Sequence, residues 1–289
     1  MYKVDNAVIM AAGTSSRFAP LSYELPKALI NVKGEILIER QINQLKQAGI
    51  SDIYIVVGYK AEKFYYLKEK FGVNIVENPD YLNRNNNASI YAVKKFLKNT
   101  YICSADNYFS ENPFESAVED SYYAAVYADG PTKEWCMTYD DNSVITDVTI
   151  GGENAWYMLG HTFWNENFSK KFIEILEAEY NLPETVDMLW ESIYIKHINE
   201  LKMKIRKYKD DVVFEFDTLD ELREFDSSYV ANTRSEILKE VAAFLSCKEE
   251  DITQVTAYKN DTNEAAGFTF VFEGQNYSYS YKEKEIRRK

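Results

Sequence analysis

The amino-acid sequence predicts an α/β fold, a mixed but mainly parallel sheet covered on both faces by helices. Two observations predict it. Short apolar runs at residues 7–12, 53–57, 73–76 and 101–104 have the length and composition of strands buried on both faces. Between them lie segments with helical spacing of apolar residues, and this alternation requires parallel pairing, with ligands at the carboxyl ends of the strands.

After the first strand, residues 36–48 read as a helix because Ile38, Ile42 and Leu45 fall on one face and Gly49 follows as a C-cap. Residues 61–71 repeat the pattern with Phe64, Leu67 and Phe71 before Gly72, and residues 88–97 supply a third helix. From about residue 120 the signals become antiparallel. Strands are expected at 122–127, 135–139, 144–149 and 156–163, with a turn at Asp140-Asp141-Asn142 and Gly151-Gly152 between the last two. Helices at 167–180 and 186–197, strands at 202–208 and 213–216 and a short helix from Leu219 complete a domain of residues 1–227. Residues 228–289 differ in character: a helix at 235–244, then strands at 255–259, 268–273 and 277–281, a small α+β appendage with a three-stranded sheet, the segment 260–263 between the first two strands and a turn at Gly274-Gln275. So small a sheet is marginal alone and is expected to pack on the main domain or on another chain.

Composition narrows the function. With 289 residues, 46% hydrophobic and 27% charged, the chain can build one large domain plus an appendage and shows no wholesale disorder. The net charge of -13 repels phosphodiester polymers, so nucleic acid is not an expected partner. Any anionic ligand must then sit on a local basic island, helped by a divalent cation. Cys103, Cys136 and Cys247 fit no metal or disulfide spacing, which points to a reducing, cytoplasmic setting, with Cys103 and Cys136 in strands. No charged leader precedes a long apolar segment and no run is long enough to span a bilayer, so neither secretion nor a membrane partner is expected. His161 and His197 offer little material for a histidine triad or a zinc site.

The most informative segment is Ala11-Ala12-Gly13-Thr14-Ser15-Ser16-Arg17, followed by Pro26-Lys27-Ala28-Leu29. Small residues at a strand end let a ligand approach the main chain, whose N–H groups then meet phosphate oxygens. Thr14, Ser15 and Ser16 add hydroxyl donors, Arg17 can fork onto an outer phosphate, and Lys27, held by the stiff Pro26, adds a point charge. Neither the P-loop pattern nor the dinucleotide fingerprint is present. Together these residues read as a nucleoside triphosphate site.

The pattern A-A-G-x-x-[ST]-R with a later P-K resembles the signature of sugar-phosphate-type nucleotidyltransferases, which have a Rossmann-like fold. Further pieces narrow the resemblance to the bacterial CTP:phosphocholine cytidylyltransferases over about residues 6–226: Val57-Gly58-Tyr59, Asn85-Asn86 with Ser89 and Tyr91, Ala105-Asp106-Asn107-Tyr108, Glu134-Trp135, Val186-Asp187 with Trp190, and Glu215-Phe216-Asp217. No later piece is specific alone, but their order is. The resemblance implies a Mg²⁺-dependent condensation of CTP with phosphocholine to CDP-choline and pyrophosphate. It implies that Ala11, Ala12, Gly13, Thr14, Ser15, Ser16, Arg17, Gly58, Tyr59, Asn85, Asn86, Ser89 and Ala105 bind the nucleotide, the two asparagines and Ser89 at the base. Lys27 and Arg17 would be catalytic, Asp106 and Asp217 metal ligands, and Trp135, Asp187 and Trp190 acceptor-binding.

The chemistry asks for such parts. Attack of a phosphate oxygen on the α-phosphorus brings two anions together, so charge neutralisation and alignment are the main tasks. Mg²⁺ takes carboxylate oxygens plus phosphates, and Asp106 and Asp217 each follow a strand end, although Asp217 also reads as the N-cap of the next helix. A quaternary ammonium cannot donate hydrogen bonds and needs aromatic faces and a carboxylate, which Trp135, Trp190 and Asp187 supply, with Trp156 and Tyr108 as further candidate rings. Leu189 departs from the family, which carries an aromatic there, and leaves open a primary-amine acceptor, phosphoethanolamine or 2-aminoethylphosphonate. A sugar 1-phosphate acceptor and a nucleotide sensor without turnover are the remaining readings; Arg17, Lys27, Asp106 and Asp217 together favour an enzyme. These residues do not by themselves separate CTP from UTP. Residues 228–289 resemble the start of the N-terminal lobe of choline-kinase-like phosphotransferases, with Asn260 or Asp261 in the place of the glycine of its Gly-x-Thr-Asn loop. With no catalytic lobe to follow, no phosphotransferase activity is expected of them, and they read as a fusion relic or as a self-association or docking module.

Overall fold

The structure, a computed structural model, describes residues 1–260 and 265–289. The chain forms two compact units, one of Met1–Gly13 with Ile38–Glu215 and one of Thr14–Leu37 with Phe216–Lys289.

In the first unit, strands β1 (Asn6–Ala11), β2 (Ile53–Val57), β3 (Asn74–Glu77), β4 (Thr100–Ser104), β5 (Tyr122–Tyr139), β6 (Ile145–Trp164) and β7 (Lys204–Lys207) form one sheet in the order β7-β5-β6-β4-β1-β2-β3. Pairings β4-β1, β1-β2 and β2-β3 are parallel, while β6 runs antiparallel to both β4 and β5. Helices cover the parallel strands, so Ala7, Val8 and Ile9 are fully buried, as are Ile53, Ile55, Val56 and Val57. Helix α1 (Leu37–Gln47) turns Ile38, Ile42 and Leu45 inward, the face its spacing predicts.

Two segments expected as single helices are divided. Residues 61–71 form a 3-10 turn, Ala61–Phe64, and then α2 (Tyr66–Phe71), while residues 88–97 form α3 (Asn87–Val93) and the turn Lys94–Phe96. Four expected strands between 122 and 163 are two long ones. Gly130-Pro131 and Gly151-Gly152 do not end the strands; register shifts between Ala128 and Pro131 and between Thr132 and Trp135 absorb them as bulges. After α4 (Glu166–Glu179), the helix expected from 186 begins at Trp190 (α5, Trp190–Lys196), because Leu189 is extended and the preceding turn is held elsewhere, as described below.

The second unit contains α6 (Leu219–Phe225), α7 (Glu236–Leu245) and an antiparallel sheet of β8 (Thr253–Lys259), β9 (Ala265–Phe272), β10 (Gln275–Ser280) and β11 (Glu285–Arg288) in that order. The sheet has four strands where three were expected. The fourth reads as a charged tail in sequence, but an edge strand tolerates charge and β11 pairs with β10 from Glu285 to Arg288. Asp261, Thr262 and Asn263 of the segment expected to join the first two strands lie outside the described residues.

The unit also takes in Thr14–Leu37, so the compact division does not follow the expected boundary at 227/228. Contacts remote in sequence are the cause. Asp226 accepts the Lys33 N–H at 2.7 Å, the Tyr229 hydroxyl and the Arg234 guanidinium donate to the Asn31 carbonyl at 2.6 and 2.8 Å, and Tyr23 stacks on Tyr281 with centroids 3.7 Å apart. Among the described residues no helix is long and apolar enough to cross a membrane.

Candidate active site

In the first unit the strand order reverses at β1, whose neighbours β4 and β2 lead in opposite directions across the sheet. Ligands of doubly wound folds occupy the crevice outside the carboxyl ends of the strands at such a point. The residues that leave these strands are tied together: the Tyr59 N–H donates to the Ala12 carbonyl at 3.1 Å, and the Ala105 N–H to the Met10 carbonyl at 3.1 Å. Ala11, Ala12, Gly58, Tyr59, Ala105 and Asp106 therefore share one end of the sheet. A Cβ on Gly13 would meet no atom within 4 Å, and its φ is not positive, so the fold itself makes no demand for glycine there. Gly58 is different, since a Cβ would lie 2.5 Å from the Tyr81 ring, and packing alone requires it.

The asparagine run behaves as a clamp. Asn85 donates its carboxamide to the Asp187 carbonyl at 3.0 Å, Asn86 donates to Glu191 at 3.1 Å and accepts the Trp190 N–H at 2.7 Å, and Asn87 donates to the carbonyls of Thr185, at 2.9 Å, and Met188. These bonds hold the 185–190 turn open and explain the late start of α5. Ser89 is buried and accepts from Asn78 at 3.2 Å. The carboxamides assigned by sequence to the cytosine edge are thus engaged with the segment that carries Asp187.

The candidate acceptor residues part company. Asp187 is exposed and Trp135 half-buried, opposite Ile150 in the β5-β6 ribbon. Trp190, expected to line the acceptor, is 1% exposed and packs on Trp164, Phe172 and Tyr123, so its rings belong to the core. Trp156 is committed to Tyr127 and Lys207, and Tyr108 carries the Arg40 guanidinium 4.6 Å from its ring centre. Sequence reasoning gave no role to Tyr157, Glu191, Glu134 or Glu215. Burial, and then the negative fields of Glu134 and Glu215, push the Tyr157 phenol up, while Glu191 and Glu215 act similarly on buried Tyr123. Burial pushes the Glu191 carboxyl up to about 7. Glu215 stands two residues before Asp217 in a quoted motif, and Tyr157 follows Trp156 on the opposite strand face; those were the available signals.

In the second unit, Arg17, Lys27 and Asp217 come together. Lys27 is 4% exposed, its ammonium 3.8 Å from one Asp217 oxygen, while the exposed Arg17 guanidinium meets the other at 2.5 Å. A buried ammonium needs such a partner. Ser16 and Arg17 sit in a short turn, Ser16–Phe18, which follows Ser15 in the left-handed region at φ 47°. Asp217 is not the cap of α6. Thr218 is, in a capping box with Glu221, so the Asp217 carboxylate is left to the cations. Its hard anionic oxygens also suit Mg²⁺, which needs only one or two carboxylates beside phosphates and water. Among the described residues no group of three or more acidic, His or Cys side chains forms a metal cage.

A doubly wound sheet with open space at the glycine after its central strand, followed in sequence by a loop whose buried lysine shares an aspartate with an arginine, defines a nucleotidyltransferase. A profile of the MobA-like NTP transferase domain matches residues 7–134. The chain is 36% identical over 220 residues to choline-phosphate cytidylyltransferase of Streptococcus pneumoniae, spanning 76% of this chain and 96% of the relative. It is also 36% identical over 234 residues to 2-aminoethylphosphonate cytidylyltransferase of Lancefieldella rimae, spanning 80% and 95%. The solved structure of CTP:phosphocholine cytidylyltransferase from Streptococcus pneumoniae superposes with a TM-score of 0.75, covering 78% of this chain and 99% of that one. The chain belongs to the bacterial CTP:phosphocholine cytidylyltransferase family.

Proposed function

We propose that this protein condenses CTP with phosphocholine to give CDP-choline and pyrophosphate. The observation that carries the reading is the buried Lys27 sharing Asp217 with Arg17, a preorganised charge cluster on the loop that follows an uncrowded glycine. Lys27 neutralises the phosphates that must approach each other, and Arg17, being exposed and forked, holds the departing β- and γ-phosphates. The amides after Gly13 receive phosphate oxygens, with the hydroxyls of Thr14, Ser15 and Ser16 beside them. Asp106 and Asp217 would hold Mg²⁺, which when bound offsets charge on the triphosphate. A cytoplasmic setting suits a chain with three free cysteines and a nucleotide substrate.

The phosphocholine assignment draws on relatives that carry that name in two organisms, Streptococcus pneumoniae and Haemophilus influenzae. Trp135, Tyr157, Asp187, Glu134 and Glu215 offer ring faces and negative charge for the ammonium. A second reading, transfer to 2-aminoethylphosphonate, is favoured by the withdrawal of Trp190 into the core and by Leu189, which together leave fewer aromatic faces. Pyrophosphate release measured with CTP or UTP against phosphocholine, phosphoethanolamine and 2-aminoethylphosphonate decides between them. CTP with phosphocholine should give the highest kcat/KM. A preference of about tenfold or more for a primary-amine acceptor overturns the first reading in favour of the second.

A further inference from the structure

The C-terminal sheet is built onto the segment that carries the candidate catalytic cations. Tyr281, just after β10, stacks on Tyr23 with centroids 3.7 Å apart and planes 8° from parallel, and Tyr23 lies between Arg17 and Lys27 in sequence. The neighbouring Glu24 accepts the N–H of Ile237 at the start of α7 at 3.0 Å. Strand β8 runs beside the Ser16–Phe18 turn. On the other side, α6, which begins directly after Asp217 and Thr218, is bound to the same sheet. The guanidinium of the buried Arg223 donates to the Ile252 and Glu249 carbonyls at 2.7 Å each, and Asp220 accepts the Gln254 N–H at 2.9 Å.

We propose that residues 228–289 are a brace that positions Arg17, Lys27 and Asp217 for the triphosphate, with Tyr281 as a positioning residue. The reasoning is geometric. A segment of this length with only short turns of regular structure has many conformations, and only a few put an arginine and a lysine on one aspartate. Without an external support the ordering would be drawn from nucleotide binding itself and would weaken it. The stack on Tyr23 from just after β10 and the bond to Glu24 from the start of α7 supply that support on one side, and the Arg223 linkage supplies it on the other, so Tyr281 acts on the nucleotide through the loop it holds. A relic would have no reason to grip both this loop and the helix that follows Asp217.

The inference rests on the reading that this loop binds CTP, and the test separates the two. Amide hydrogen exchange of residues 14–30, which needs no ligand, is measured beside CTP affinity by calorimetry for wild type, Tyr281→Leu, Tyr281→Phe and Phe270→Leu, the last a core truncation within the same sheet. Tyr281→Leu should speed exchange in the loop and weaken CTP binding by a factor of about two to ten, the range of an aromatic pair. The KM for the acceptor should stay within about twofold. Tyr281→Phe keeps the stack and should behave as wild type, and Phe270→Leu should lower Tm without moving either loop readout. Wild-type exchange and CTP affinity in Tyr281→Leu, or the same loop effects in Phe270→Leu, overturn the proposal. Failure of the wild-type chain to bind CTP would overturn the functional reading, while the exchange measurement still decides the brace.

Discussion

Replacing Lys27 by Met keeps the four-atom stem that fills its buried place and removes only the charge. The ammonium lies 3.8 Å from Asp217, where two unit charges attract by about 4 kcal/mol at an effective dielectric near 20. Solvent at the partly exposed Asp217 lowers that figure, and taking the ammonium out of water costs about as much. Asp217 also retains Arg17 at 2.5 Å in the variant. The net effect on folding should therefore be small, with Tm within about 2 °C of wild type, the shift that roughly 1 kcal/mol produces in a chain of this size. Turnover should respond quite differently, because the fixed charge faces negative charge that builds up as the phosphates meet. Loss of one such group costs about a hundredfold to a thousandfold in kcat. Lys27→Arg should not rescue, since a planar fork does not replace a compact ammonium in a buried place. The assay is steady-state pyrophosphate release with CTP and phosphocholine, beside thermal unfolding of the same preparations. A kcat within about threefold of wild type would refute the assignment, and Lys27 would be a structural ion-pair partner only.

Asp106→Ala should lose about a hundredfold or more in kcat, and wild-type activity should vanish with chelator and return with Mg²⁺; a near-normal Asp106→Ala rate removes that residue from the site. Trp135→Ala should raise the KM for phosphocholine by about five- to thirtyfold, the equivalent of 1–2 kcal/mol for a desolvated cation on a ring, with little change for CTP; equal shifts for both substrates would contradict a cage. Glu191 has its carboxyl pushed up to about 7 by burial, against about 4.3 when unfolded. The folded chain thus keeps a proton that the unfolded chain has released, and this group's contribution lowers stability as pH rises from about 4 to 7. His161, held near 3 by burial and by Arg206, contributes the opposite slope between about 3 and 6.5. Glu191→Gln should therefore make Tm rise more steeply with pH over that window than wild type does, and identical Tm–pH profiles would place the Glu191 carboxyl in ordinary solvent.

The parallel half of the sheet was legible because its strands are short, apolar and separated by amphipathic helices, each a pattern within a dozen residues. The segment proposed to bind phosphate stood out for the same reason: Gly13, Arg17 and Lys27 lie close together in sequence and have few structural reasons to occur together. What depended on distant partners was not. The bulges that fuse four apparent strands into β5 and β6 depend on cross-strand register, and the clamp from Asn85–Asn87 onto the 185–190 turn spans about a hundred residues. Trp190 and Trp135 look alike as letters, yet one packs on Trp164 and Phe172 while the other stays half-buried on a ribbon.

The sequence by itself determined the chemistry on offer, namely cations after a small-residue strand end, carboxylates past two other strands and a family signature in order. The tertiary structure decided which of those groups meet. It gave the α6 cap to Thr218 and so left Asp217 to Arg17 and Lys27, withdrew Trp190 into the core, and joined residues 14–37 to the C-terminal sheet. The physical reason is that residue type and local spacing set what a side chain can do, whereas burial and pairing are set by contacts between segments about two hundred residues apart, such as Arg17 with Asp217 and Asn31 with Tyr229.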